Sequence, residues 1–474
     1  MSATANSSVL PAAFVERIGR EFPRDFLSQD PEDLKTFGKD WTKVFPPNPR
    51  AIAFPRSTAE VSKLLRLCSE FKIAVVPSGG RTGLAGGAVA PDGEVVVSLM
   101  RMNKMHEVDT LSQTVRVEAG AVTEAVHHHC EPHGLTWPVD FASKGSSHVG
   151  GNISTNAGGV KVIHYGMTRQ WVLGLTVVTM DGNILELNGA LEKNNTGIDL
   201  RQLFIGSEGT LGIVTEATLK LARVPGSLDV FFFAVPDMPG VLKLFHEARR
   251  APFNLMAFEC LTHNCLTATA SHMGLKTPFT AESGAYVLIE VERPRSEGAQ
   301  EVLDSWLAGL FEKELVLDGT LAQSPREAKD LWKLREGIAE SLVAQGFVHK
   351  NDIALPVAEL EPFVDEMYAM FKRGHGELEV FLFGHIGDGN LHVNTMMPEG
   401  MDRKDFLERC HVADQDLFTL VRKYKGSVSA EHGIGLLKKE ALGFSRTPEE
   451  ISLFRQLKKA FDPQGLMNPG KIFD

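Results

Sequence analysis

The sequence predicts an α+β protein with at least two domains. Its 474 residues exceed what one hydrophobic core usually organises, so we expect two or three domains. In the first half of the chain, short apolar runs alternate with helical patterns and with three glycine-rich segments. In the second half, the order strand, helix, strand, helix, strand predicts a ferredoxin-like sheet with helices on one face. These patterns favour two different α+β domains followed by a C-terminal helical segment.

The composition restricts the partners that the protein can have. A net charge of −11 argues against nucleic acid as a main partner, because phosphate binding needs a basic surface. The five cysteines (Cys68, Cys130, Cys260, Cys265 and Cys410) are scattered without a Cys-x-x-Cys pair, which favours a reducing compartment. We find no secretory signal and no run of the roughly 18 apolar residues that a membrane span needs. We therefore expect a cytoplasmic protein without a transmembrane segment, and peripheral attachment to the inner face of a membrane stays open.

Residues 1–44 have a polar helical pattern and are expected to form an N-terminal segment. Residues 57–60, Ser-Thr-Ala-Glu, resemble a capping box that opens a helix over residues 61–71. The apolar run 73–76 predicts a short buried strand. Further strands are expected at 94–99, 114–118, 171–179, 184–187 and from 213 to near 221, with a helix from residue 123 to near Pro132.

The first glycine-rich segment, residues 77–87, follows the predicted buried strand directly. Five of the nine residues from Gly79 to Gly87 are glycine, so the backbone carries few Cβ atoms and can approach a ligand closely. The N–H groups of such a loop can surround an anion, and a pyrophosphate is the group that we expect. A mobile surface loop is the alternative.

Two further segments continue this pattern. Residues 140–159 are dominated by small residues and amides, and Asn152, Thr155 and Asn156 offer hydrogen bonds to a flat polar ligand. Residues 206–214 form a third glycine-rich turn. No Gly-x-Gly-x-x-Gly opens a helix after a first strand, with an acid about 20 residues on, which argues against a nicotinamide enzyme. The three segments predict a binding surface built from several loops.

The triple histidine at residues 127–129 lies on the helix that is expected to begin at residue 123. Consecutive helical residues point in different directions, so these three imidazoles cannot share one metal ion. We expect a solvated helix face here.

A second domain is expected to begin at residue 225. Strands are predicted at 228–235, 285–291 and 315–317, with helices at 241–249, 298–312 and 325–343. The last of these helices contains Arg335, and Lys350 follows it in the chain. Each of these charges, taken alone, is typical of a solvated surface.

Residues 383–394 carry the most informative chemistry. Apolar alternation flanks Gly-Asp-Gly-Asn, which predicts a hairpin with a tight turn and with His385 and His392 on its two arms. Imidazoles on opposite arms are near enough to bind one ion, and a structural role for each histidine is the alternative. Glu431, in Ser-Ala-Glu-His-Gly-Ile-Gly, could complete a two-histidine, one-carboxylate site with open positions for substrate. Zinc is the first choice for the ion, with manganese or ferrous iron behind it.

The glycine-rich segments of residues 45–224 resemble the FAD-binding domain of the vanillyl-alcohol oxidase superfamily. Residues 77–87 match its pyrophosphate loop, residues 150–159 its second flavin segment and residues 206–214 its third. Several relatives attach FAD covalently through a histidine in the first loop, which here has none, so the resemblance implies noncovalent FAD. The FAD-binding residues that it implies are Pro77, Ser78, Gly79, Gly80, Arg81, Thr82, Gly83, Leu84, Gly87, Asp140, Ser143, Gly145, Ser146, Gly150, Gly151, Asn152, Thr155, Asn156, Ala157, Tyr165, Gly166, Glu208, Gly209, Gly212, Ile213, Val214 and Asn468.

Further motifs extend the resemblance to nearly the whole chain. His-Ile-Gly-Asp-Gly-Asn-Leu-His, Ser-Ala-Glu-His-Gly-Ile-Gly and the terminal Asn-Pro-Gly-Lys are similar to those of the FAD-linked D-2-hydroxy acid dehydrogenases. This family includes D-lactate, glycolate and D-2-hydroxyglutarate dehydrogenases, and the segments 142–146 and 331–335 point toward the D-2-hydroxyglutarate branch. The resemblance implies a substrate (cap) domain over residues 225–445 and a C-terminal helical segment over residues 446–474 that packs on the FAD domain.

The resemblance also implies metal ligands, substrate-binding residues and a catalytic base. The expected metal ligands are His385, His392 and Glu431. The expected substrate-binding residues are Arg335, Lys350, Asn394 and His432, of which His432 is also the base. One position departs from the branch, because Ala339 stands one turn after Arg335 where relatives can carry a hydroxyl residue. A contact with a distal carboxylate is thereby put in question.

The implied activity is FAD-dependent oxidation of a D-2-hydroxy acid, with D-2-hydroxyglutarate as the first choice and D-lactate or D-malate next. The electron acceptor stays open between a quinone and an electron-transfer flavoprotein, and a homodimer stays open as well. One alternative is an NADPH-dependent flavin reductase of a sugar-nucleotide enol ether, which the two-histidine segment disfavours. Another is a non-catalytic flavin-binding subunit of a larger complex, which the retention of every proposed ligand and base disfavours.

Overall fold

The computed structural model describes residues 9–42, 44–293 and 297–473, and these divide into two compact units. The first unit comprises Met1–Gly159, Gly166–Val224 and Glu431–Asp474, and the second comprises Val160–Tyr165 and Pro225–Ala430. The chain passes from the first unit to the second after Val224, and it returns to the first unit at Glu431. No helix among the described residues is both long enough and apolar enough to cross a membrane.

The first unit contains two four-stranded sheets and a two-stranded one. The first sheet, which is parallel except at its short first strand, has the strand order Leu27–Ser28, Ala51–Ala53, Val95–Ser98, Val75–Ser78. The second sheet is antiparallel and has the strand order Thr114–Glu118, Ile213–Lys220, Val172–Val178, Ile184–Leu187. The two-stranded sheet pairs Leu135–Thr136 with Ala222–Arg223. Each predicted strand of this half is present, with its ends shifted by at most two residues.

The helices of the first unit pack around these sheets. They are Ala12–Glu21, Pro31–Phe37, Thr58–Glu70, Thr123–Cys130, Val149–Thr155, Arg201–Phe204, Leu442–Ser445 and Pro448–Phe461. The predicted capping residue Ser57 accepts a hydrogen bond from the Glu60 N–H and begins the third of them. The last helix packs on this unit through Phe461, whose ring meets the ring of Phe204 edge-on at 5.3 Å.

The triple histidine differs from the expected solvated face. A ring nitrogen of His127 donates to the Val139 carbonyl at 3.1 Å, and a ring nitrogen of His129 donates to the His106 carbonyl at 2.8 Å. Only His128 is exposed. The imidazoles diverge, as the helical geometry requires, and two of them connect the helix to neighbouring backbone.

The second unit is organised by one antiparallel sheet of seven strands. Its strand order is Asp318–Leu321, Leu228–Val235, Ala285–Glu292, Asn254–Leu261, Glu379–His385, Asn390–Met396, Val348–Ala354. Its helices are Val162–Tyr165, Met238–Arg250, His263–Met273, Ala299–Glu312, Pro325–Glu336, Ile338–Gln345, Leu360–Gly374 and Arg403–Lys423.

The sequence missed several elements of this unit, among them the strand Val348–Ala354 and the helices Leu360–Gly374 and Arg403–Lys423. The strand Asn254–Leu261 and the helix His263–Met273 lie where no element was predicted, so the order strand, helix, strand, helix, strand was incomplete. The strand predicted at 315–317 is found at Asp318–Leu321. The helix predicted over 325–343 is two helices that meet at Gly337, where an added Cβ would lie 2.6 Å from the Lys333 carbonyl oxygen.

Helices cover both faces of this sheet, whereas one covered face was predicted. On one face the ring of Phe258 meets Phe245 of the helix Met238–Arg250 at 4.9 Å. On the other face, a core around Phe232 and Leu288 includes side chains of the helices His263–Met273, Pro325–Glu336 and Ile338–Gln345. The central strand Ala285–Glu292 is buried along its whole length, so both of its faces need apolar cover.

Candidate functional site

The first glycine-rich segment begins where the strand Val75–Ser78 ends. At Gly80, an added Cβ would lie 2.1 Å from the backbone oxygen of Ser146, so only glycine allows this approach. Gly79 lies against the second segment as well, with the Cβ of His148 at 3.4 Å from the position of an added Cβ. The structure therefore brings the first two predicted segments together.

Arg81 holds the tip of this loop. Its backbone has a left-handed φ of 59°, and its guanidinium donates to the Gly79 carbonyl at 3.3 Å. The guanidinium carbon also lies 4.5 Å from the centre of the Phe37 ring. Burial lowers the pKa of Arg81. A cation is thus held beside the loop that was expected to bind a pyrophosphate.

The two segments leave room for a polar ligand. An added Cβ at Gly151 would meet no protein atom within 4 Å, and one at Gly83 would meet only Asp40, at 3.8 Å. Among the described residues, the buried Oγ of Ser78 and the buried Nδ1 of His148 have no hydrogen-bond partner. Buried polar atoms are normally paired, so these two unpaired atoms in the first two segments fit a bound cofactor. His148 was not predicted.

Three predicted polar contacts of the second segment are made with the protein itself. The amide nitrogen of Asn152 donates to Thr123 Oγ1 at 2.7 Å, and Thr155 Oγ1 donates to the Gly151 carbonyl at 3.1 Å. The carbonyl oxygen of Asn156 accepts from the Arg169 N–H at 2.9 Å. These side chains shape the helix Val149–Thr155 and its left-handed end, and this helix carries the open face at Gly151.

The third segment is tied to the C-terminal part of the first unit. The carboxylate of Glu208 accepts hydrogen bonds from the N–H groups of Ile434 and Gly435, at 2.7 and 2.8 Å. Burial raises the pKa of Glu208 although these two bonds act in the opposite direction. Asn468 donates to the carbonyls of Gly87 and Glu208, at 3.0 and 2.8 Å, and its buried Oδ1 has no partner among the described residues.

The other predicted FAD residues lie in or beside these segments, with one in the second unit. Ile213 and Val214 begin a strand with buried side chains. Asp140 forms an ion pair with Lys144 at 2.8 Å. Tyr165 ends the helix Val162–Tyr165 of the second unit. The remaining residues are Pro77, Thr82, Leu84, Ser143, Gly145, Gly150, Ala157, Gly166, Gly209 and Gly212.

The predicted histidine hairpin is present in the second unit. The strands Glu379–His385 and Asn390–Met396 pair so that Phe383 is opposite His392. The rings of His385 and His392 have centres 5.5 Å apart and planes at 81°. Both imidazoles are therefore diagonal neighbours on one face of the sheet.

These histidines and Glu431 form a group that could bind a metal ion. One ligand atom from each of His385, His392 and Glu431 lies within 4.8 Å of the other two. Glu431 directly follows Ala430, whose N–H donates to the carboxylate of Asp352 at 3.2 Å. Two imidazole nitrogens and one carboxylate oxygen are a donor set that zinc accepts, so the residues fit the predicted ion. His432 is the next residue in this segment.

Each histidine has a buried carboxylate on its Nδ1 side, and the sequence predicted neither. Glu259 is opposite His385 in the sheet, and its Oε1 lies 2.8 Å from His385 Nδ1. Asp352 is opposite His392, and its Oδ1 lies 3.7 Å from His392 Nδ1. Histidines that bind metals usually donate their second N–H to such a group, which leaves Nε2 for the ion.

Arg335 contacts the same carboxylate. Its Nη2 lies 2.6 Å from Glu259 Oε2, an ion pair whose N–H bonds are not aligned for a hydrogen bond. Burial alone would raise the pKa of Glu259, but the charges of His385 and Arg335 outweigh it, and the pKa is lowered. The Arg335 guanidinium carbon also lies 5.0 Å from the centre of the Phe383 ring. Only 4% of Arg335 is exposed, so this arginine is not the solvated surface charge that is typical of such a residue taken alone.

Lys350 and Asn394 are opposite each other on adjacent strands of this sheet. Lys350 is half-buried, and its ammonium group has no hydrogen-bond or ion-pair partner among the described residues. Burial lowers its pKa. An uncompensated ammonium at such a position is suited to a carboxylate ligand.

A further buried charge pair escaped the sequence analysis. Lys161 forms an ion pair with Glu290, and the Trp332 indole donates to the other oxygen of that carboxylate at 2.9 Å. Lys161 Nζ also lies 4.9 Å from the centre of the Trp332 ring. The motif Leu-Trp-Lys-Leu-Arg was recognised in the sequence, but its tryptophan had no predicted partner.

Two family comparisons cover most of the chain. Residues 49–188 match the FAD binding domain family, and residues 224–472 match the family of FAD linked oxidases, C-terminal domain.

Several known proteins are similar over nearly their whole length. The chain is 45% identical to the D-2-hydroxyglutarate dehydrogenase of Stutzerimonas stutzeri (strain A1501), over 94% of this chain and 95% of that protein. It is 37% identical to a putative mitochondrial D-lactate dehydrogenase of Schizosaccharomyces pombe, over 94% and 85%. The fold is similar to that of 4-ethylphenol oxidase from Gulosibacter chungangensis, with a TM-score of 0.75, 16% identity, and 98% and 97% of the two chains covered.

Proposed function

We propose that this chain, which belongs to the FAD-linked D-2-hydroxy acid dehydrogenases of the vanillyl-alcohol oxidase superfamily, oxidises D-2-hydroxyglutarate to its 2-oxo acid. Membership of this family makes the chain an FAD-dependent oxidoreductase, and it disfavours both the enol-ether reductase and the non-catalytic subunit. D-lactate and D-malate are the next candidates for the substrate. The observation that carries the proposal is the cluster of His385, His392 and Glu431. The uncompensated ammonium of Lys350, on the same sheet as the two histidines, supports it.

Two bound groups supply the chemistry that amino acids lack. When bound, FAD supplies the hydride acceptor at N5, and a divalent metal supplies a Lewis acid that lowers the pKa of the 2-hydroxyl group. His385, His392 and Glu431 would hold the metal, with zinc first and manganese or ferrous iron next. The three glycine-rich segments would hold the FAD.

His432 is proposed as the base that takes the proton of the 2-hydroxyl group. An imidazole titrates near neutrality, so its neutral form can accept a proton at physiological pH. The segment that carries His432 is held by Glu208, through the N–H groups of Ile434 and Gly435. A fixed backbone two residues away limits the positions that the imidazole can take.

The substrate carboxylates are proposed to bind Arg335 and Lys350, with Asn394 as a hydrogen-bonding neighbour. Arg335 can grip a carboxylate with two parallel N–H groups, although Glu259 already engages one side of its guanidinium. Ala339, half-buried on the helix Ile338–Gln345, offers no hydroxyl group to a distal carboxylate. Lys350 is the charged group that we propose in its place.

The FAD is proposed to bind without a covalent bond. The loop of residues 77–87 contains no histidine or cysteine that could attach the flavin. Acid precipitation should therefore release all flavin into the supernatant, where its absorbance can be measured. Flavin that stays on the precipitated protein would contradict this part of the proposal.

The partners of the enzyme are proposals as well. The electrons would leave the flavin for a quinone or an electron-transfer flavoprotein, and we propose a homodimer. We place the enzyme in the cytoplasm, with peripheral attachment to the inner face of a membrane as the alternative.

Anaerobic mixing with a panel of hydroxy acids tests the proposed substrate. The FAD- and metal-loaded protein is mixed with D-2-hydroxyglutarate, D-malate, D-lactate and L-lactate, and flavin absorbance near 450 nm is followed. We expect D-2-hydroxyglutarate to bleach the flavin fastest and L-lactate to leave it oxidised. Faster bleaching by D-lactate would move the assignment to that substrate, and rapid bleaching by NADPH alone would favour the reductase.

A further inference from the structure

We propose that Glu259 is a positioning residue that holds the metal ligand His385 and the substrate-binding Arg335 in one fixed arrangement. This inference rests on the proposed function and adds a residue that none of the motifs contains. One carboxylate oxygen lies 2.8 Å from His385 Nδ1, and the other lies 2.6 Å from Arg335 Nη2. The two groups that would act on the substrate are therefore linked through one side chain.

The position of Glu259 leaves it little freedom. It lies opposite His385 on the adjacent strand, and only 1% of the residue is exposed. A buried carboxylate persists only when it is paired, and both of its oxygens have a partner here. Arg335 is restrained on a second side by the Phe383 ring, which lies two residues before His385 on the same strand. The bridge thus joins a helix residue to a rigid sheet.

The contact on Nδ1 decides which nitrogen of His385 faces the ion. A carboxylate can only accept a hydrogen bond, so Nδ1 must carry the proton and Nε2 presents its lone pair. The same carboxylate draws the Arg335 guanidinium toward the sheet. Loss of this single group should therefore change two properties, the affinity for the metal and the affinity for the substrate.

His392 has a different kind of support. Its Nδ1 lies 3.7 Å from Asp352, and the two oxygens of Asp352 already accept from Asn390 Nδ2 at 2.9 Å and from the Ala430 N–H at 3.2 Å. Asp352 therefore fixes the hairpin and the backbone before Glu431 more than it fixes the imidazole. Glu259, in contrast, contacts both a proposed metal ligand and a proposed substrate-binding residue.

The test compares Glu259→Gln with Asp414→Asn in FAD-loaded protein. An amide has one oxygen, so glutamine can accept from His385 or pair with Arg335, but its NH₂ group must face the remaining donor. Asp414 is the matched control, because its carboxylate lies 2.9 Å from His349 Nε2 and the strand that carries His349 belongs to the same sheet. Zinc affinity is measured without substrate, by competition with a chromophoric chelator, and KM is measured for D-2-hydroxyglutarate.

For Glu259→Gln we expect zinc affinity to fall about 10- to 100-fold, with a similar rise in KM, whereas Asp414→Asn keeps both values. Wild-type values of both quantities in Glu259→Gln would overturn the inference. If that variant fails to fold, Glu259→Asp decides, since it keeps the charge but shortens the reach. For Glu259→Asp we expect zinc affinity to fall about 3- to 10-fold and KM to rise by a similar factor. Wild-type values of both quantities would again overturn the inference.

The wild-type protein in the same experiment separates the two proposals. A wild-type chain that binds no zinc and does not oxidise the substrate would remove the proposed function itself. The other outcome is a wild-type chain that binds zinc and oxidises the substrate, with Glu259→Gln showing the same zinc affinity and KM as Asp414→Asn. That outcome would contradict only the role of Glu259.

Discussion

The two candidate regions of this protein are built in opposite ways. In the first unit, the region for the cofactor is made mainly of backbone, with glycines at the points of close approach and few charged groups. The region for the metal and substrate is made of charged side chains, most of which lie on the sheet of the second unit. The first depends on where side chains are absent, and the second depends on how a few ionic groups are paired.

This difference sets what a mutation should do in each region. A substitution of one of these charged side chains removes a specific ligand or charge, so catalysis should suffer while FAD stays bound. A substitution in the glycine-rich segments fills space, so FAD binding should suffer while the metal group stays intact.

The largest effect is expected for His392→Ala. The variant loses one of three ligands, and a metal that stabilises developing charge by about 4 kcal/mol accounts for about 1000-fold in rate. We expect the zinc content to be lost and flavin reduction by D-2-hydroxyglutarate to slow about 1000-fold, with the FAD content unchanged. Elemental analysis and stopped-flow absorbance measure these quantities. His128→Ala, on an exposed helix position, is the control, and a metal-free His392→Ala that reduces its flavin normally would break the comparison.

His432→Ala should have the next largest effect. Loss of a general base lowers turnover by about 100-fold or more, and His432 is expected to contribute neither to the metal site nor to the FAD site. Zinc and FAD contents should therefore equal those of the wild type, while steady-state turnover of D-2-hydroxyglutarate falls. Unchanged turnover would remove His432 as the base.

Gly151→Ala tests the first region through its empty space. The added methyl group meets no protein atom within 4 Å, and Gly→Ala in a helix usually stabilises by about 0.5–1 kcal/mol, so the FAD-free protein should be slightly more stable. If that space belongs to the cofactor, crowding should cost about 1–3 kcal/mol of FAD affinity, or roughly 5- to 150-fold. Denaturant unfolding and FAD titration measure the two changes. Gly19→Ala, which is also helical with nothing within 4 Å, should show only the gain in stability. Unchanged FAD affinity in Gly151→Ala would show that the cofactor lies elsewhere.

The smallest effect is a pH dependence at His148. Burial, assisted by the charge of Arg81, lowers the pKa of His148 to about 4. Between pH 6.5 and 4 the unfolded chain takes up a proton that the folded chain refuses, so stability should fall as the pH falls through this window. The free energy of unfolding is measured at pH 7 and at pH 4.5. Between these two pH values, His148→Gln should lose less stability than the wild type, by at most about 3 kcal/mol. His128→Gln should keep the wild-type slope, and an equal slope in His148→Gln would contradict a neutral buried imidazole.

The sequence predicted features that are local in the chain. The glycine-rich segments were visible because their composition alone sets their backbone freedom. The histidine hairpin was visible because its two arms are neighbours in sequence. In contrast, Glu259 lies 126 residues before His385, and only the register of the sheet brings them together. The strand that carries Glu259 was not predicted, so the contact between Glu259 and His385 was not predicted either.

The second segment shows a different limit. Asn152 and Asn156 were expected to offer hydrogen bonds to a flat polar ligand, and in the structure their amides bond to Thr123 and to the Arg169 backbone. Composition predicts that such groups need partners, and it does not say whether the partner is a ligand or the chain itself. The left-handed backbone of Asn156, which places its side chain, is a property of the folded helix end.

Reduction of the FAD-loaded, metal-free enzyme tests the central claim most directly. The metal is removed with a chelator, retention of FAD is checked by absorbance, and D-2-hydroxyglutarate is added without oxygen. Our account predicts that the flavin stays oxidised until zinc is restored, and that it then bleaches at the original rate. Bleaching at the full rate before zinc is added would contradict it.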